Sequence, residues 1–298
     1  MFLKKDLFSE SVRLAYIVKD LRRTFELWGY KEIFLPSVEE YSPNLRKGTK
    51  FAYNNKFYMF KPDPTSQILA NLKERRELKI YYILEVLNGA TKGEWQAGIE
   101  FIGGNDLMVQ VEGILVAITA LESLGINEFY IDVGSLEVWK RALKEIEEYK
   151  PQIITALSRR NFEEIESLPI SSAKKEELWK LFNFRGKKCE YQKLNKIIEA
   201  INDKRVFVDF GTMRILPYYS DIIFEVYSPK FGKPIGGGGE YEIKGMKAFG
   251  FAFNLKAILK LYEGDLEKTR KIISGDLKEA YNKAKQFVRL GIPVKVRK

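Results

Sequence analysis

The 298-residue sequence contains no histidine. That absence removes Ser-His-Asp triads, Cys-His pairs, HExxH zinc sites and all imidazole acid–base chemistry. Any catalysis would rest on Asp, Glu, Lys, Arg or Tyr, and neither a metal nor a cofactor is expected. A single cysteine, Cys189, excludes an internal disulfide and fits a reducing, cytoplasmic setting. The longest apolar run, around residues 113–121, falls far short of the roughly 20 residues of a membrane span. The opening MFLKKDLFSE turns acidic where a secretion signal would stay apolar. There are no repeats, no low-complexity tracts and no block of five or six like charges. The formal net charge of +10, from 50 basic and 40 acidic residues, therefore reads first as a mixed solvated surface. A polyanion-binding surface is the second reading.

What is present is enough for a packed core. The sequence is 45% apolar and 13% aromatic, and its length suggests about two domains. With 30% charged residues and little Cys or Met, the composition leans towards heat adaptation. Leu14, Ile17, Val18, Leu21, Phe25 and Trp28 step by three and four, predicting an amphipathic helix. Ser9 or Ser11 would cap its start and Gly29 its end. A short strand over 32–35 is closed by Pro36, which has no amide hydrogen for a sheet ladder.

Further strands are predicted over 57–60, 80–87, 95–102 and 128–133, with helices over 65–76 and 107–124. Residues 88–93 form the loop between two of the strands. From 135 to 205, Lys and Glu recur at helical spacing and strand signals vanish, so this stretch reads as a helical insertion. It divides a core formed by 1–134 and 206–298. Strands return at 205–208, 221–227, 241–243 and 247–253, and helices over 254–262 and 275–290 close the chain. Strands adjacent in sequence outnumber strand–helix alternation. The fold class is therefore α+β, an antiparallel sheet flanked by helices.

Four segments could carry chemistry. In Trp95-Gln96-Ala97-Gly98-Ile99-Glu100, alternate residues share a strand face, so Gln96 and Glu100 flank a glycine. That gap suits a small cationic or amine-bearing ligand, and a half-solvated polar face explains the pattern equally well. In Lys61-Pro62-Asp63-Pro64-Thr65, Asp63 or Thr65 is a natural helix N-cap. Arg214, followed by Tyr218 and Tyr219, supplies a planar cation and two phenols suited to a carboxylate or phosphate. Gly236-Gly237-Gly238-Gly239 lacks the P-loop Lys-Ser/Thr and reads as a flexible turn.

Taken in order, these segments resemble the catalytic core of histidyl-tRNA synthetases, a class II aminoacyl-tRNA synthetase fold. The first helix, the strand and Pro36 resemble motif 1. KPDPT resembles the family's R-P-E-G-T, QAGIEFIG its Q-x-G-x-E-x-x-G, and RILPYY its R-G-L-D-Y-Y. The glycine run resembles the loop G-G-R-Y-D, and AFGFAFNLKAIL the motif 3 segment. The resemblance implies a histidine pocket made of Asp63, Thr65, Gln96, Glu100, Arg214, Tyr218 and Tyr219. In it Asp63, Thr65 and Gln96 face the α-amino group, Glu100 and Tyr219 the imidazole, and Arg214 the carboxylate.

The departures bear on activity. Leu87 stands where motif 2 carries an ATP-gripping arginine, and Ala257 where motif 3 carries a second. Charge-assisted hydrogen bonds contribute about 1.5–3 kcal/mol each, so losing two removes about 3–6 kcal/mol. Asp63 is one methylene shorter than the family's glutamate, Pro217 replaces an aspartate, and Glu240 replaces the glycine-loop arginine. The residues after Tyr262 read as too few for an anticodon-binding domain.

A kept amino-acid pocket with lost adenylation is similar to the synthetase-like regulatory subunits of ATP phosphoribosyltransferase. The resemblance then implies a non-catalytic subunit that supports a short catalytic subunit in the first step of histidine biosynthesis. L-histidine would be the feedback effector, and the chain would form a homodimer inside a hetero-oligomer, expected to be a hetero-octamer. Two other readings stay open: a free-standing amino-acid-activating enzyme, and a basic tRNA-binding module suggested by the tail Val294-Lys295-Val296-Arg297-Lys298.

Overall fold

The computed structural model describes residues 7–87, 93–214, 216, 218–264 and 270–297. In chain order its elements begin with α1 (Leu7–Leu27), β1 (Lys31–Glu32), β2 (Val38–Glu40), β3 (Thr49–Tyr53), β4 (Lys56–Phe60) and α2 (Pro64–Asn71). β5 (Leu78–Leu87), β6 (Gly93–Ile102), α3 (Met108–Ser123) and β7 (Tyr130–Ser135) follow. The middle of the chain holds α4 (Leu136–Ala142), α5 (Lys150–Ser158), α6 (Glu163–Glu166), α7 (Ser172–Phe182), β8 (Arg185–Gly186) and α8 (Gln192–Ile201). It ends with β9 (Val206–Asp209), β10 (Tyr219–Ser228), β11 (Phe231–Ile243), β12 (Met246–Asn254), α9 (Leu255–Leu261), β13 (Lys271–Ile273), α10 (Leu277–Arg289) and β14 (Val294–Val296).

The described residues build a nine-stranded sheet in the order β1-β5-β6-β12-β11-β10-β7-β9-β8. Its centre is antiparallel, while β1 joins β5 and β9 joins β7 in parallel. The expected α+β class and its helix-flanked antiparallel centre are both present. Alternation along the strands sorts the two faces. On β6, Ala97, Ile99 and Phe101 enter the main core, together with Phe249, Phe251 and Phe253 of β12. α1, α3, α8 and α9 cover that face, with Ile17, Leu21 and Phe25 of α1 fully buried against it. The other face carries a smaller apolar cluster that includes Ile68, Tyr82, Ile102 and Tyr241. A side sheet, β2-β4-β3, lies beside α2 in the chain, and Asp63 N donates to Arg46 O within that region.

Several local expectations are corrected. Among the described residues α1 spans Leu7–Leu27, so Ser9 and Ser11 lie inside the helix rather than at its start. Gly29 does end it, at φ +82°, the left-handed geometry that suits glycine. The strand expected over 32–35 is only β1, two residues long, and Phe34 projects into solvent at 85% exposure. α2 stops at Asn71 rather than 76. The stretch read as wholly helical contains β8, which pairs with β9.

Within that stretch Trp139, Leu143, Ile153, Leu157, Ile165 and Leu178 form a separate core, whereas Leu194, Ile197, Ile198 and Ile201 of α8 join the main one. The glycine run is no turn: it lies inside the 13-residue β11, hydrogen-bonded to β10 on one side and β12 on the other. After Tyr262 the chain is not helix alone, because β13 and β14 pair in parallel around α10. Pro217 and loop residues 88–92 lie outside the described residues.

Candidate functional site

A cavity of about 210 Å³ opens on the sheet face away from α1 and α3. Asp63, Thr65, Gln96, Glu100, Arg214, Tyr218 and Tyr219 all line it. These residues come from separate segments, and the sheet register gathers them by setting α2, β6, β10 and the chain before β10 around one point.

Asp63 is both cap and wall. Its carboxylate accepts from Ser66 N at 3.0 Å, fixing the start of α2, and it remains part of the cavity lining. Burial pushes its pKa up, opposed by Lys47, by the Ser66 amide and by Arg46. In the first turn of α2, Thr65 Oγ1 donates to Glu100 Oε1 at 2.6 Å. Tyr241 Oη donates to the other oxygen, Oε2, at 2.8 Å. Glu100 is 1% exposed, so a solvated polar strand face is excluded for it. Burial raises its pKa to about 8, despite the two hydroxyl donors that favour the carboxylate.

Tyr218 and Tyr219 meet edge to face at 5.0 Å, and Tyr218 meets Tyr241 the same way at 6.1 Å. Arg214 Nη1 donates to Glu225 Oε1 at 3.4 Å. Gln96 is half-buried on the same face of β6 as Glu100. With acidic Asp63 and Glu94 set against Lys47 and Arg214, and Glu100 able to ionise beside a cation, the cavity suits a small zwitterion.

Space for these side chains comes from glycines in neighbouring strands. A Cβ at Gly250 would sit 1.8 Å from Glu100 Oε2, and one at Gly237 would sit 2.5 Å from Arg214 Nη1. Gly98 pairs across the hairpin with Tyr82, and a Cβ there would fall 2.6 Å from the phenol oxygen. Tyr82 and Tyr241 are lining residues that the sequence motifs did not single out. The signal that finds Tyr82 is the hairpin register, which sets it opposite the glycine of QAGIE.

The chain matches the histidyl-tRNA synthetase family over residues 5–188 and 173–258. It belongs to the histidyl-tRNA synthetase family. A histidine–tRNA ligase of Methanocaldococcus jannaschii is 26% identical over 277 residues, covering 78% of this chain and 66% of that protein. An ATP phosphoribosyltransferase regulatory subunit of Aquifex aeolicus is 27% identical over 290 residues, covering 87% and 74% respectively. The crystal structure of an ATP phosphoribosyltransferase regulatory subunit/histidyl-tRNA synthetase from Bacillus halodurans superposes with a TM-score of 0.79 at 22% identity. That match covers 100% of this chain and 93% of the other, and it shares the fold.

Leu87 and Ala257, expected from the sequence to replace two ATP-binding arginines, both lie off the cavity. Ala257 is buried in α9 as part of the main core, 1% exposed. Leu87 ends β5, where its backbone bonds to Lys61 and Gly48. Neither is among the described residues that line the cavity. Glu240, expected from the sequence to replace a glycine-loop arginine, points away from the cavity. Fully buried on the helix-covered face, it accepts from Gln110 at 2.7 Å, Lys193 at 2.7 Å and Lys247 at 3.1 Å.

Proposed function

We propose that this chain is a non-catalytic regulatory subunit of ATP phosphoribosyltransferase, acting with a short catalytic subunit in the first step of histidine biosynthesis. One observation carries the reading: the seven amino-acid-pocket positions converge on one cavity, while the two ATP-arginine positions hold apolar side chains outside it. The names of the Aquifex and Bacillus relatives agree with it.

L-histidine is the proposed effector. Asp63, Thr65 and Gln96 would take its ammonium, Glu100 and Tyr219 its imidazole, and Arg214 its carboxylate. A buried site that pairs its polar groups with a ring N–H discriminates strongly against analogues lacking it. Feedback then requires that histidine bind one state of the complex better, typically by about 1–3 kcal/mol.

The test is ATP phosphoribosyltransferase activity of a short-form catalytic subunit, with and without this chain, across a histidine titration. Activity that needs this chain and falls with histidine is the expected result. Activity indifferent to both additions, with a competent catalytic subunit, overturns the proposal. ATP–pyrophosphate exchange with any amino acid would instead make the chain an activating enzyme, and the expected exchange is none.

A further inference from the structure

Arg214 is the single guanidinium among the described residues lining the cavity, and it is not free to turn. It lies over Gly237, the cross-strand partner of Glu225, and donates to Glu225 Oε1. Two residues along the same face of β10, Tyr227 Oη donates to the other oxygen, Oε2. Arg160 Nη2 then donates to Tyr227 Oη at 3.3 Å, with its guanidinium carbon 5.9 Å from the ring centroid.

Arg160 belongs to the segment with its own core. It follows α5 at φ +54°, a left-handed position where glycine is the usual residue. An arginine kept in a backbone conformation that disfavours it, with its head group on Tyr227, breaks a local rule at a point of contact.

We infer that Arg160, Tyr227 and Glu225 are positioning residues that set Arg214 and couple the cavity to the helical segment around α5. The inference rests on the amino-acid reading of the cavity given above. A guanidinium has five donors in a rigid fork, so a carboxylate fixed on one side leaves the rest aimed at the ligand. Holding Glu225 from both sides removes the cost of ordering that fork when a carboxylate arrives. Coupling of this kind is reciprocal: a ligand carboxylate on Arg214 biases the placement of Arg160, and displacement of Arg160 weakens the ligand.

Calorimetric titration of the full chain with L-histidine and with L-histidinol separates positioning from simple bracing. Histidinol keeps the ring and the amine and lacks the carboxylate. Tyr227→Phe should weaken histidine about tenfold and Arg160→Ala about threefold, with histidinol changed less than about twofold. Arg159→Ala, one residue away and paired with Glu164, should alter neither. Equal losses for both ligands, or no loss in either variant, overturn the inference.

If the wild-type chain binds neither compound, the amino-acid reading fails, and amide exchange of the ligand-free protein decides the positioning chain separately. Faster exchange across 211–220 in Tyr227→Phe and Arg160→Ala, but not in Arg159→Ala, supports it. Unchanged exchange in both variants overturns it.

Discussion

Glu100 has two hydroxyl donors, from Thr65 and Tyr241, and a place under the sheet's glycines that water scarcely reaches. Its pKa near 8 makes it largely a neutral acid at pH 7 in the empty cavity. The sign of its effect on stability follows. The folded chain binds a proton that the unfolded chain, with an ordinary carboxyl near 4.5, has already lost. This contribution is therefore full below about 4.5 and is lost as pH rises through about 8. Glu100→Gln should flatten that decline, which is on the order of a few kcal/mol in denaturant titrations from pH 5 to 9. A slope unchanged by Glu100→Gln would show that some other group carries it.

Binding reads the same group from the other side. A cationic ligand group beside Glu100 favours the carboxylate, so occupancy at pH 7 should release protons. Calorimetry in buffers of differing ionisation enthalpy should record a release approaching one proton in the wild type and much less in Glu100→Gln.

At the scale of elements, the cavity depends on β11 and β12 staying thin. Gly250→Ala would push a methyl into the Glu100 carboxyl, costing about 1–3 kcal/mol and most of the ligand affinity. Gly232→Ala, on the neighbouring β11 and with nothing within 4 Å of its added Cβ, should leave both unchanged. Thermal melts and histidine titrations of the two variants check this.

The same strands show what a sequence reveals. The α1 stripe and the alternation of QAGIE are local periodicities, and both survive into the structure because each element buries one face. The glycine run looks like a turn in isolation. It is a strand because β10 and β12 satisfy its backbone on both sides, a long-range pairing that no local pattern records. Tyr241 stands just past that run in the sequence, but its contact with Glu100 follows from the same long-range pairing. Asp63 looked like a cap or a ligand-binding acid; it caps α2 and also lines the cavity, since the first turn of that helix forms a wall. β13 and β14, three residues each and separated by a helix, carry too little alternation to be read.

At the scale of the whole molecule, charge is spread unevenly along the chain. Residues 270–298 hold nine Lys or Arg and two Asp or Glu, a net +7 of the chain's +10, so the basic character is concentrated beyond α9. The opposite end of the sequence also leaves large apolar side chains in solvent. On α1, Phe8 is 79% and Leu27 77% exposed, and Phe34 beyond it is 85% exposed. Large apolar side chains left this exposed at both ends of one helix and at its exit are candidates for burial against a second copy. The expected outcome is a homodimer formed through the motif 1 helix, with the basic end left outward. Light scattering at micromolar concentration should give twice the 34.6 kDa chain mass. Phe8→Glu with Leu27→Glu should return it to the monomer without loss of helical circular dichroism, because neither side chain belongs to the buried core. A wild-type monomer would refute the dimer. A dimer that survives both substitutions would place its interface elsewhere.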